Sequence, residues 1–136
     1  MRVIMDVNIL VSYGIGKSLS DLPFVVRHPD LEWVACEELL DELLRGSRYP
    51  KLEKYLQPAR VAEIFELLRR FAILVPIVKP QAQFSDPKDN YLLDLCDAAA
   101  ADYLVTGDKP LLELGNHNQT VIISYRDFCQ RLRPFA

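Results

Sequence analysis

The chain has 136 residues, 50% hydrophobic and 26% charged, a composition that excludes a disordered, collagen-like or low-complexity polymer and suits a single domain over residues 1–136. Its formal charge of −3, from 16 Lys and Arg against 19 Asp and Glu, argues against a broad basic face for nucleic acid and leaves room for a local site. No apolar run approaches the roughly 18 residues of a bilayer span, and Asp6 and Asn8 interrupt the N-terminal stretch, so the cytoplasm is the expected location, with no membrane partner.

Taken in chain order, Arg2-Val3-Ile4-Met5 reads as a buried strand that ends at Asp6 and enters a loop, with Gly14-Ile15-Gly16 as a turn signal. A helix is predicted over residues 20–27, a strand over 32–36 and a helix over 37–45. Gly46 and Pro50 interrupt helical character between Gly46 and Gln57, and no conformation is assigned there. Helical spacing returns over 58–71, followed by a strand at 72–75 that Pro76 stops. The remainder reads as a helix over 87–101, strands over 103–106 and 120–123, and a helix over 125–132. Strands that are apolar throughout and alternate with helices predict an α/β fold. The expected form is a three-layer α/β/α sandwich around a mostly parallel sheet of about five strands.

Cys36, Cys96 and Cys129 are far apart and odd in number, which suits reduced core thiols better than disulfides. His28 and His117 share no helical spacing with each other or with a cysteine, so a zinc site is not expected.

In an open α/β sheet the ligand crevice lies beyond the carboxyl ends of the strands, which directs attention to the acids placed there. Asp6 closes the first strand, and Asp108 follows the strand at 103–106 after Gly107. Glu37, Glu38, Asp41 and Glu42 follow the second strand, while Asp86 and Asp89 open the helix before Asp108. Each has a plainer role available. Asp6 and Asp108 suit turns, and Asp86-Pro87-Lys88-Asp89 suits a helix start, with Asp86 as N-cap, Pro87 at N1 and Asp89 at N3. Leu39, Leu40, Leu43 and Leu44 mark an apolar stripe that Asp41 and Glu42 flank almost equally, so periodicity does not choose between them.

The order of these residues resembles the PIN-domain nucleases over essentially the whole chain. The family's first strand ends in Asp-x-Asn, matched by Asp6-Val7-Asn8, and its Leu-Leu-x-Glu-Leu helix is matched by residues 39–43, which selects Glu42. The segment DPKDNYLLDLCDAAAADYLVTGD, Asp86 to Asp108, is similar to one branch, the PIN toxins of bacterial and archaeal toxin–antitoxin systems, and the resemblance carries the third and fourth acids to Asp89 and Asp108. One position departs: the family commonly has Thr or Ser where Val7 stands, which removes a hydroxyl from the site.

The resemblance implies a ribonuclease that hydrolyses RNA phosphodiester bonds, with an antitoxin protein as partner and a homo-oligomer as a further expectation. Four converging carboxylates require cations or retained protons, and an all-oxygen site suits Mg2+ or Mn2+. Asp6, Asp89 and Asp108 are the expected ligands, Glu42 a ligand or the positioner of the attacking water, and Asn8, Thr106 and Asp86 supporting residues. Without the four acids the formal charge of the chain is +1; Arg45, Arg48, Lys51 and Lys54 form its densest basic cluster, and Lys109 adjoins Asp108. These cations are candidate phosphate contacts or simply a solvated face. A haloacid-dehalogenase-type phosphatase would need an acid where Asn8 stands. An idle PIN scaffold acting as a binding module and a housekeeping RNA-processing nuclease are the remaining alternatives.

Overall fold

The computed structural model describes residues 1–16, 19–45, 53–82 and 89–132. Strand β1 (Arg2–Met5) leads into helices α1 (Val7–Ile15) and α2 (Leu22–Val26), then β2 (Glu32–Ala35) and α3 (Glu37–Arg45). A 3-10 turn at Glu53–Tyr55 precedes α4 (Pro58–Phe71) and β3 (Ile73–Leu74). The chain continues through α5 (Asn90–Ala99), β4 (Tyr103–Val105), α6 (Lys109–Leu114), β5 (Asn116–His117), β6 (Thr120–Ile123) and α7 (Tyr125–Arg131).

Among the described residues the strands form one six-stranded sheet in the order β3-β2-β1-β4-β6-β5. All neighbours pair parallel except β5 and β6, which form an antiparallel hairpin at the edge. Chain order runs from β1 to β2 to β3 on one side, then resumes at β4 on the other side of β1. Right-handed crossovers therefore place α1 to α4 on one face of the sheet and α5 and α6 on the opposite face. Val3, Ile4 and Met5 of β1 and Leu104 and Val105 of β4 are buried, as strands covered on both sides must be. The expected three-layer, mostly parallel architecture is thus present, with β5 as the additional strand. The reversal of strand order between β1 and β4 opens a crevice at their carboxyl ends, where Asp6 and Thr106 stand.

Several local expectations need correction. The loop predicted after Asp6 is instead helix α1, which starts at once and is buried through Val7, Ile9, Leu10, Val11, Tyr13 and Gly14. A helix covered on nearly every side shows no apolar stripe, and its β-branched residues imitate a strand. Gly16 does act as punctuation, but as the left-handed C-cap of α1 at φ 85°, its N–H donating to Tyr13 O. Helix α6 and strand β5 are additional to the elements predicted; six and two residues are too short to show a period. Helix α5 begins at Asn90, and Asp89 directly before it already has helical backbone angles, φ −95° and ψ −4°. The predicted start at Asp86 and Pro87 lies outside the described residues. On α3, Leu39 is buried but Leu44 is 69% exposed, which narrows the apolar stripe to Leu39, Leu40 and Leu43. Cys36, Cys96 and Cys129 are free thiols, the first two buried and the third partly so. Among the described residues no helix is long and apolar enough to cross a membrane.

Candidate active site

Asp6 is the centre of the crevice. It is 1% exposed, because it follows a strand with both faces covered and stands at the start of a buried helix. Its side chain does not cap α1. The Thr106 hydroxyl donates to Oδ2 of Asp6 at 2.7 Å, while Oδ1 is buried with no hydrogen-bond partner among the described residues. Burial pushes the Asp6 carboxyl up to about 7; repulsion by Glu42 and Asp89 adds to this, against the Thr106 hydroxyl and the Val7 N–H, which lower it.

Glu42 and Asp89 are therefore brought to Asp6. Helix α3 starts directly beyond β2, and at about 100° per residue the loss of Leu44 from the stripe moves the buried face toward Glu42 and away from Asp41. Glu42 is half-buried and Asp41 exposed. Asp89 is 1% exposed at the start of α5, and its side chain, like that of Asp6, makes no capping bond. Each of the three acids has one carboxylate oxygen shielded from solvent: Asp6 Oδ1, Glu42 Oε2 and Asp89 Oδ2.

Asp108 is joined to this group indirectly. Its N–H donates to Thr106 Oγ1 at 3.0 Å, and its carboxylate caps α6 by accepting from Leu111 N–H at 3.3 Å. The acids that act on Asp6 are Glu42 and Asp89, with Asp108 one hydrogen-bonded residue further away.

Thr106 connects these parts. Its hydroxyl donates to Asp6, and it accepts from Asp108 N–H and from Asn8 Nδ2 at 3.4 Å. One donated and two accepted bonds exhaust a hydroxyl. Thr106 thus braces the crevice and keeps no lone pair for a ligand. Asn8 does the same from α1, its Oδ1 accepting from Gly107 N–H at 3.2 Å. Thr106→Val, which keeps the shape and removes all three bonds, is expected to cost about 1 to 3 kcal/mol in urea melts and to raise the Asp6 carboxyl further.

Tyr91 belongs to the site although the sequence did not single it out. Its hydroxyl donates to Glu42 Oε1 at 2.7 Å. Burial, then the charge and hydrogen bond of Glu42, raise its pKa well above that of a free phenol. An aromatic residue on a helix ordinarily reads as core, and its place two residues after Asp89 is the one signal that could have marked it. Burial also pushes the Cys36 thiol, at the end of β2, up to about 11, which keeps it protonated. Arg45 and Lys109 are exposed; Arg48, Lys51 and Asp86 lie outside the described residues.

The donor set is carboxylate oxygen throughout, and the buried Oδ1 of Asp6 is the atom most in need of a cation, which fits a hard divalent ion. Among the described residues no three His, Cys, Asp or Glu side chains are gathered to hold an ion directly. Mg2+ commonly binds through one or two carboxylates and keeps several waters, so this spacing suits an ion held at Asp6 with the other acids acting largely through water.

The sequence profile of the PIN domain matches residues 2–110, a span that includes Asp6, Glu42, Asp89 and Asp108. Among solved structures, the fold is similar to a chain of VapBC2 from Rickettsia felis bound to a DNA fragment from their promoter, with a TM-score of 0.56 and 16% identical residues. That likeness covers 90% of this chain and 97% of the other. No curated protein matches the sequence. With the profile spanning most of its length and the sheet order and crevice described above, the chain belongs to the PIN-domain family.

Proposed function

We propose that this protein is a divalent-cation-dependent endoribonuclease, one nuclease domain over residues 1–136, acting as the toxin of a toxin–antitoxin pair. The observation that carries the proposal is Asp6: a carboxylate buried under β1, repelled by Glu42 and Asp89, with one oxygen that no described residue satisfies. A fold keeps so unfavourable an arrangement where another charge completes it. Family membership supports phosphodiester hydrolysis, since PIN domains are generally nucleases. The fold likeness to VapBC2 supports an antitoxin partner.

Asp6 would hold Mg2+ or Mn2+ through Oδ1, with Glu42, Asp89 and Asp108 completing the site directly or through water. The ion, when bound, supplies activation of water and neutralisation of phosphate charge. The protein's own residues do the rest. Thr106 and Asn8 fix the Asp6 carboxylate, the crevice between β1 and β4 admits the phosphodiester, and Glu42 orients the attacking water. Arg45 and Lys109, exposed at the end of α3 and the start of α6, attract the RNA backbone.

The test compares the two acids of α3 in a fluorogenic RNA assay with Mn2+, contaminating nuclease being excluded. Glu42→Gln is expected to reduce cleavage by on the order of 100-fold, the scale of losing one electrostatic group at a reacting centre. Asp41→Asn, on the exposed face, should leave cleavage unchanged. Equal losses from both would place the active face of α3 elsewhere, and wild-type protein that neither cleaves RNA nor gains thermal stability from Mn2+ would reduce the protein to a binding scaffold.

A further inference from the structure

Tyr91 stands in the first turn of α5, just beyond Asp89, and its hydroxyl reaches Glu42 on α3, 49 positions away in the chain. The charge of Glu42 opposes that of Asp6, and its side chain is half-buried, so a hydrogen bond that fixes it in the crevice works against that repulsion. Glu42 nevertheless has Oε1 on the phenol and Oε2 shielded from solvent.

We infer that Tyr91 is a positioning residue, whose hydroxyl holds Oε1 of Glu42 so that Oε2 stays within the acid cluster as a donor ready for a divalent cation. The inference rests on reading that cluster as a cation site. A neutral donor suits the task. Lys or Arg at this position would also hold Glu42, but would cancel the negative charge that a cation requires. The phenol holds the carboxylate and leaves its charge whole. A phenol ordinarily ionises only at about pH 10, so it is a donor through the physiological pH range. The bond also ties α3 to α5, so the cluster forms when the two layers of helices close over the sheet.

The experiment is a cycle of Tyr91→Phe, Glu42→Gln and the double variant, each titrated with Mn2+ by calorimetry, melted in EDTA and assayed for RNA cleavage. Tyr91→Phe should weaken Mn2+ binding about 10-fold, the scale seen when a group that orients a metal ligand is removed. It should lower kcat while KM for RNA stays unchanged, and shift the melting temperature in EDTA little, because Glu42 is half-buried and within reach of water. In the Glu42→Gln background, loss of the hydroxyl should have no further effect on Mn2+ affinity. Wild-type Mn2+ affinity in Tyr91→Phe, with a lower melting temperature in EDTA, would make Tyr91 only a link between helices. Equal weakening in both backgrounds would show that it does not act through Glu42. Wild-type protein that binds no Mn2+ would instead overturn the cation site itself, a result distinct from failure of Tyr91→Phe alone.

Discussion

Asp6→Asn is expected to abolish Mn2+-dependent RNA cleavage and at the same time to stabilise the metal-free protein at pH 8. The activity loss should be on the order of 100- to 1,000-fold, because the substitution removes a fully buried charge of the site while keeping its shape. The stability gain follows from the position of its titration. The Asp6 carboxyl lies at about 7 in the folded protein and at the ordinary aspartate value of 3.8 when unfolded. Below the lower value both states hold the proton and the fold has its full stability. Between the two, only the folded state binds it, so stability falls as pH rises, and above about 7 the loss is complete. At about 1.4 kcal/mol for each pH unit of separation, the wild type should lose a few kcal/mol between pH 4 and pH 7 in EDTA.

Asparagine removes that dependence. Its carbonyl can still accept from Thr106, and its neutral amide is not repelled by the charges of Glu42 and Asp89. Urea melts of both proteins at pH 4 and pH 8 in EDTA should therefore lie close together at pH 4 and separate at pH 8, with the variant the more stable. Mn2+ should raise the melting temperature of the wild type and not of the variant, since a cation bound at Asp6 competes with its proton. An Asp6→Asn protein that cleaves RNA normally, or whose stability falls with pH as the wild type does, would show that Asp6 is neither the ligand nor the strained group.

How far such a site can be read from sequence depends on what each residue has to reveal. Helices α3 and α4 and strands β1 and β6 have the predicted bounds because each carries one signal, a leucine stripe or an unbroken apolar run, closed by a clear stop. Helix α1 gives no such signal, since Val7, Ile9, Leu10 and Val11 are all buried and its polar side is only Asn8 and Ser12. Periodicity leaves Asp41 and Glu42 tied, because it counts Leu44 as core; the resemblance selects Glu42, and the exposure of Leu44 gives the physical reason. The acids themselves were legible as polar residues at the ends of apolar strands, a consequence of where an α/β sheet opens. Tyr91 was not, because its function depends on a partner 49 residues away and its residue type is at home in any core. Thr106 was visible as a polar residue in an apolar strand, yet its role as a saturated brace required the bonds of Asn8 and Asp108.

Asp108 is the acid on which sequence and geometry differ most, and its substitution should separate two roles. The resemblance makes it the fourth acid of the site, whereas the structure gives its carboxylate to the N-terminus of α6 through Leu111 N–H. Asn caps a helix about as well as Asp, so Asp108→Asn should keep stability within a few tenths of a kcal/mol of wild type. Asp108→Ala removes the cap and should cost about 0.5 to 2 kcal/mol. That cost would be felt at the sheet, because α6 packs on β6 and its Leu111 is fully buried. If the carboxylate also serves a cation or its waters, both variants should lose cleavage by about 100-fold or more, although only one of them is destabilised. The decisive measurement is cleavage per folded molecule in Mn2+, with the folded fraction taken from urea melts of the same samples. A fully active Asp108→Asn beside a destabilised Asp108→Ala would assign Asp108 to capping alone and leave Asp6, Glu42 and Asp89 as the complete site. Loss in both would mean that the carboxylate caps α6 in the metal-free protein and serves the cation as well, which its 3.3 Å bond to Leu111 N–H, long for a charge-assisted contact, leaves it free to do.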